Sequence, residues 1–258
     1  MEKFLHIVFK AALEAGKTIL EVYQKPFEVA LKDDASPVTQ ADIQASNIIK
    51  KNLQPTQLPF VSEEDIPGDR SSFSRYWLVD PLDGTKEFVR HNDEFTVNIA
   101  LIDNKNPVLG VIYAPVFDTL WYTINKGVFK VCHAYATYPS WTPQLLTPAD
   151  GPLHRPYTVL VSRSHRTQEV DDYINHILRP QHPDLVINSQ GSSLKFAQLI
   201  ENNADIYVCY SKTKEWDTAA ADALLTAFGG HVLRISDGCP LEYSKLDYPN
   251  PPFVAVRC

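Results

Sequence analysis

The sequence predicts a mixed α/β (α+β) chain, with an N-terminal α+β domain over residues 1–150 followed by a smaller α/β domain over 151–258. Three observations predict it. Two amphipathic helical segments open the chain, a series of short β-runs follows them, and from about residue 157 strand-like and helix-like segments alternate. At 258 residues the chain is long enough to bury a substantial core, in one large domain or two modest ones.

Each element rests on a local pattern. Met1 to about Tyr23 interrupts its apolar residues with Lys3, Lys10, Glu14 and Lys17. That predicts an amphipathic helix and not a signal peptide, whose apolar core is unbroken. "SPVTQADIQASNIIKKNL", residues 36–53, predicts a second helix with Ile43, Ile48 and Ile49 on an apolar face and Pro55 closing it. "PFVSEE", "RYWLVD", "FTVNIALID", "PVLGVIYAPV" and "DTLWYTI" read as strands of an antiparallel sheet. From Cys132 to Pro156 the composition turns to Pro, Thr, Ala and small polar residues, which predicts a hairpin extension and a linker. Beyond it "YTVLVS", "DLVIN", "ADIYVCY" and "HVLRIS" read as strands between the helices "TQEVDDYINHIL", "SSLKFAQLIE" and "DTAAADALLTAF", the last closing on Gly229-Gly230.

Composition excludes several function classes. No apolar run approaches the length that spans a bilayer. Cys132, Cys209, Cys239 and Cys258 lie far apart with no CxxC, which favours free thiols and a cytoplasmic protein. A formal charge of −7 argues against general nucleic-acid binding. An anionic ligand would therefore need a cation brought to the site.

Carboxylates at the ends of elements supply the place for one. In "RYWLVDPLDGTKEF" a β-run ends on Asp80 and Asp83, and Gly84 lets the backbone approach a ligand. A short helix starting at Thr85 would point its free N–H groups at an anion near Asp83. "FVSEED" ends another strand on Glu63 and Glu64, and "EWDTAAADALL" puts Asp217 at a helix start. Each has a plain reading: a surface bend, a solvated acidic loop, an N-cap. Three element ends all carrying carboxylates point jointly to a hard-metal site of the Mg²⁺ type. Phosphatases with an aspartyl nucleophile use Asp-x-Asp, whereas the interval here is Asp-x-x-Asp; the nucleophile expected is metal-activated water.

"VSEE", "DPLDGT" and "WDTAA", in that order, resemble the inositol monophosphatase superfamily of Mg²⁺-dependent, lithium-sensitive phosphatases over nearly the whole chain. Within it, "DPLDGTKEF", "FTVNIALI", "GVIYAPV", "SRSH" and "GSSLKF" resemble the CysQ-type 3'(2'),5'-bisphosphate nucleotidases. The resemblance implies a layered αβαβα sandwich of the sugar-phosphatase type. It implies one Mg²⁺ on Glu63, Asp80 and the Leu82 carbonyl, a second on Asp80, Asp83 and Asp217, and room for a third, weaker ion sharing Glu63. Asp42, in "PVTQAD", would work with Thr85 to orient the attacking water, and Gly84 and Thr85 would donate backbone hydrogen bonds to the scissile phosphate.

The implied substrate is adenosine 3',5'-bisphosphate, hydrolysed at its 3'-phosphate to AMP; an inositol or sugar phosphate is the alternative. A second phosphate needs donors that the metals do not reach, and Lys86, Arg163, His165, Ser193 and Lys195 are the candidates. Tyr243 reads as core packing or as a base-flanking ring. The chain departs from the CysQ pattern at Cys209, where an Arg is common, at Ala221 and at Cys239; Lys212 or Lys214 would have to compensate. A non-catalytic nucleotide sensor of the same fold is the competing class, disfavoured by a Thr85–Asp42 pair that a pure binder does not need. No obligate protein partner is implied, and peripheral contact with the cytoplasmic face of the inner membrane is left open.

Overall fold

Phe4, Val8, Ala11, Ala12, Ala15 and Ile19 recur at three- and four-residue spacing and are all buried, so Glu2–Tyr23 forms a helix, α1, with one face committed to the core. The computed structural model describes residues 2–31, 37–68, 70, 72–149 and 153–258. The expected domain boundary at 150/151 and the expected helix start at Ser36 lie outside the described residues.

Strands β1 (Val29–Leu31) and β2 (Pro37–Thr39) form a small antiparallel ribbon. The second helix, α2, runs over Gln40–Leu53 and begins later than its periodicity suggests. Thr39 keeps an extended backbone and caps it, accepting from Ala41 N, while Asp42 reaches back to the Thr39 N–H. Ile43 is half exposed, so the expected apolar face is corrected: Ala41, Ala45, Ile49 and Leu53, at four-residue spacing, are the buried stripe. Pro55 ends the helix in a 3₁₀ turn, Gln54–Thr56.

The first sheet contains β3 (Phe60–Ser62), β4 (Arg75–Asp83), β5 (Thr96–Asp103), β6 (Asn106–Ala114), β7 (Thr119–Ile124), β8 (Gly127–Cys132) and β9 (Gln144–Leu146), in that order across the sheet. Two short helices are inserted, α3 (Thr85–Val89) and α4 (Ala134–Thr137). The sheet is antiparallel as expected except at its edge, where β3 and β4 are parallel. The connection over residues 63–74 is long enough to carry the chain back before β4 starts. The hairpin extension expected after Cys132 is β9, which pairs with β8.

The second sheet has the order β11 (Val186–Gln190), β10 (Thr158–Ser162), β12 (Ile206–Cys209), β14 (Phe253–Val256), β13 (His231–Arg234). Its first three strands are parallel, and β14 is antiparallel to both its neighbours. Helices α5 (Gln168–Tyr173), which runs into a π-helical turn, α6 (Leu194–Ile200) and α7 (Glu215–Phe228) connect them.

Strand alternation divides the core. Trp77, Val79, Ile99, Leu101 and Val111 face α1 and α2, whereas Tyr76, Leu78, Ala100, Ile102 and Ile112 face α6 and α7. The same α6–α7 layer packs on Tyr207, Phe253 and Ala255 of the second sheet, whose far face covers Val170 and Ile174. The result is the five-layered αβαβα sandwich. Gly110 permits the closest approach: a Cβ there would lie 2.1 Å from the Ala220 carbonyl oxygen, so α7 rests directly on β6.

Candidate active site

In a regular strand, residues three apart face opposite sides. Asp80 and Asp83 do not, because the ladder with β5 slips between them: Asp80 pairs with Asn98 and Asp83 with Thr96. Pro81 lacks the N–H that would continue the ladder, which favours a bulge at this point. Asp80 shares its face with Tyr76 and Leu78, the face that meets α7, and the bulge returns Asp83 to it. Asp80 also accepts from the Leu82 N–H at 3.1 Å.

Gly84, at φ +95°, turns the chain into α3; a Cβ there would meet the Glu94 carbonyl oxygen at 2.9 Å. Thr85 opens α3, and its hydroxyl donates to Asp42 Oδ1 at 3.0 Å. Asp42 is held at the start of α2 by the Thr39 N–H and hydroxyl, at 2.8 and 2.7 Å. Burial pushes its carboxyl up to about 6, against the pull of the Thr39 donors.

Glu63 directly follows β3, its N–H donating to the Val79 carbonyl. Asp217 stands in the first turn of α7 and accepts from the Lys214 N–H at 2.9 Å. Glu63, Asp80 and Asp217, from three separate elements, each place an oxygen within 4.8 Å of the others. Asp83 lines the same cleft without joining that tight group; it accepts from Asn98 Nδ2 at 3.1 Å. Burial, with the charges of Glu63 and Asp83 added, raises the Asp217 carboxyl well above the usual carboxylate range. Burial raises Asp83 too, opposed by the Lys195 ammonium. Carboxylates driven together in this way, with oxygen as the only ligand atom, fit a hard divalent cation.

The cleft around them has a volume of about 230 Å³. Leu82, Gly84, Thr85, Lys86, His165, Ser193 and Lys195 line it, and Ser162, Lys212 and Lys214 join them. Lys195 is buried and donates to the Ser192 carbonyl at 2.6 Å. Lys86 Nζ and His165 Nε2 are 2.8 Å apart, and burial together with that lysine lowers the His165 pKa. Arg163 is the exception to the expected set. It lies outside the lining because its guanidinium is engaged by Glu94 through two bonds of 2.6 and 2.7 Å. Tyr243 is a core residue, bonded to Asp222 at 2.8 Å. Cys209, buried, contacts Ser211 and does not line the cleft.

Sequence reasoning missed Asn98 and Thr96. Ser193 Oγ lies 2.7 Å from each of them, so β5 ties Asp83 to the entry of α6. The signal was present: two polar residues two apart inside an apolar strand share one face.

The inositol monophosphatase family model matches residues 1–256. The 3'(2'),5'-bisphosphate nucleotidase CysQ of Shigella flexneri is 41% identical over 253 residues, covering 95% of this chain and 96% of its own. The protein of the same name from Salmonella typhimurium is 41% identical over 256 residues, covering 96% and 98%. Among solved structures, CysQ from Bacteroides thetaiotaomicron superposes with a TM-score of 0.86 at 36% identity, covering 98% of this chain and 96% of that one. The IMPase of Thermotoga maritima shares the fold, with a TM-score of 0.79 at 20% identity over 99% and 92%.

Proposed function

Because the chain belongs to the inositol monophosphatase family, on its CysQ-type 3'(2'),5'-bisphosphate nucleotidase branch, we propose that it hydrolyses the 3'-phosphate of adenosine 3',5'-bisphosphate to AMP and phosphate. It is a metal-dependent phosphomonoesterase with an acidic metal site. One observation carries the reading. Glu63, Asp80 and Asp217 converge from three elements on the cleft where Thr85 and Asp42 are hydrogen-bonded.

The residues assigned to the metals are Glu63, Asp80 and the Leu82 carbonyl for one Mg²⁺, and Asp80, Asp83 and Asp217 for a second, with a third ion sharing Glu63. Divalent cations held there would supply positive charge to the phosphoryl group and to the departing ribose oxygen. They also let a chain of net charge −7 accept a polyanion. Thr85 donates its hydroxyl proton to Asp42 Oδ1, which leaves the oxygen's lone pairs to orient the attacking water. The proton that water releases passes through the Thr85 hydroxyl to Asp42 Oδ1, whose raised pKa suits it to receive one. Backbone N–H groups of Gly84 and Thr85 bind the scissile phosphate. Lys86, His165, Ser193 and Lys195 are the donors available to the second phosphate.

We place the protein in the cytoplasm. All four cysteines are free, the state a reducing compartment maintains. The test is a substrate panel at fixed Mg²⁺. Adenosine 3',5'-bisphosphate is expected to give the highest kcat/KM, and EDTA to abolish turnover; faster turnover of inositol 1-phosphate overturns the assignment.

A further inference from the structure

Two C-terminal segments build one wall of the cleft, residues 162–165 after β10, whose Ser164 donates to Glu87 of α3, and residues 191–195 at the entry to α6. Glu94, in the loop between α3 and β5, binds both. Its Oε1 accepts from Arg163 Nη2 at 2.7 Å, and its Oε2 accepts from Arg163 Nε at 2.6 Å and from the Gly191 N–H at 2.7 Å. Arg163 in turn donates from Nη2 to the Ser189 carbonyl at 2.8 Å and from its backbone to the Gln190 carbonyl. The loop carrying Glu94 is itself anchored: the Tyr23 hydroxyl donates to Asp93 at 2.8 Å, and Phe95 is fully buried. No side chain fits between strut and wall, since a Cβ on Gly191 would lie 2.8 Å from the Glu94 carbonyl oxygen.

We propose that Glu94 is a positioning residue that fixes both wall segments against α3 and thereby sets the preference for a nucleoside bisphosphate over a mononucleotide. The inference rests on the functional reading above. The phosphate to be cleaved would be held by Thr85 and by cations on the carboxylates of β4 and α7, to none of which Glu94 is bonded. Of the donors available to the second phosphate, His165, Ser193 and Lys195 stand on the wall and Lys86 alone stands on α3. Loosening the wall therefore acts first on the second phosphate's contacts and reaches the other phosphate only through Ser193 and Asn98, which tie Asp83 to the entry of α6. Arg163, which has the right charge for a phosphate ligand, is instead the upper half of the strut.

Glu94→Ala, Glu94→Gln and Arg163→Met test this with adenosine 3',5'-bisphosphate and with 3'-AMP, which lacks the 5'-phosphate. Glu94→Ala is expected to raise KM for the bisphosphate about tenfold, the cost of losing charged hydrogen bonds, with kcat within about twofold. Its constants for 3'-AMP should move by less than about twofold. Glu94→Gln, which keeps one acceptor, should lie between, and Arg163→Met combined with Glu94→Ala should be no worse than Glu94→Ala alone. Equal losses on both substrates, or no loss on either, overturn the proposal. Hydrogen exchange gives a readout independent of substrate: amides of 162–165 and 191–195 should exchange faster together in Glu94→Ala while α7 is unaffected. Unchanged exchange in either segment overturns the strut. A wild-type enzyme that does not prefer the bisphosphate to 3'-AMP counts against the functional reading, and the exchange data then decide the strut alone.

Discussion

Thr85 shows how much chemistry depends on one hydroxyl. Thr85→Val keeps the shape and removes both the bond to Asp42 and the oxygen proposed to orient water. Turnover is expected to fall about 10²–10³-fold with KM little changed, the range for losing a positioned proton-transfer group; steady-state turnover within a factor of a few of wild type would remove Thr85 from the reaction. Asp222 makes a different point. It is buried in α7 and accepts from Tyr243 and Thr226, and burial raises its carboxyl to about 6. A raised carboxyl pKa favours the folded state at low pH, and that advantage is lost as pH rises from about 4 through the folded value near 6. The loss amounts to about 3 kcal/mol at the most. Asp222→Asn should therefore be more stable than wild type at pH 8 and no more stable at pH 4; denaturant midpoints at the two pH values check it. At this scale the sequence was informative wherever a residue's neighbours in the chain reveal its setting. Asp80, Asp83 and Asp217 stand at element ends that periodicity locates. Arg163 was misplaced because a basic turn residue looks the same whether it meets a ligand or a carboxylate 69 residues away.

Among elements, the β4 bulge and the start of α7 do the positioning. The buried Arg70 forks onto Glu215 at 2.8 and 3.1 Å and stacks on Tyr248, tying the loop after Glu63 to the turn that carries Asp217. Arg70→Met leaves the fully buried Glu215 with Lys245 as its remaining cation. A cost of about 3 kcal/mol is expected, the lower end for breaking a buried pair; thermal or denaturant unfolding measures it, and a cost below about 1 kcal/mol would show the pair to be dispensable. Strong periods and terminators made α1, α2, α7 and most of the first sheet legible. Short elements stabilised by distant partners were not. Nothing local places the "FVAV" of β14 between β12 and β13, and a run of residues does not reveal that β3 pairs in parallel.

For the whole molecule, the carboxylates proposed to hold metal, Glu63, Asp80 and Asp217, come from distant parts of the chain, so an ion bound there would be a cross-link between them. Mg²⁺ should raise the melting temperature of the chelated protein with the logarithm of its concentration, by about 2.7 kcal/mol of stabilisation at one hundred times its dissociation constant. Asp217→Asn should largely abolish that increment without unfolding the chain, and calorimetry with and without Mg²⁺ separates the two; an unaltered increment would take Asp217 out of the metal site. The layered arrangement itself follows from alternation in the strands, but which helices fill the middle layer does not, because α6 and α7 lie far along the chain from the sheet they cover.

That middle layer has a consequence for how the protein is made. Synthesis delivers β3 through β9 well before α6 and α7, and until those helices arrive Tyr76, Leu78, Ile102, Ile112 and Trp121 lack the layer that covers them. The nascent polypeptide therefore waits on the ribosome with a broad oily surface bare, the stage at which a chaperone reading exposed apolar area would engage it and at which unassisted chains would cohere with one another.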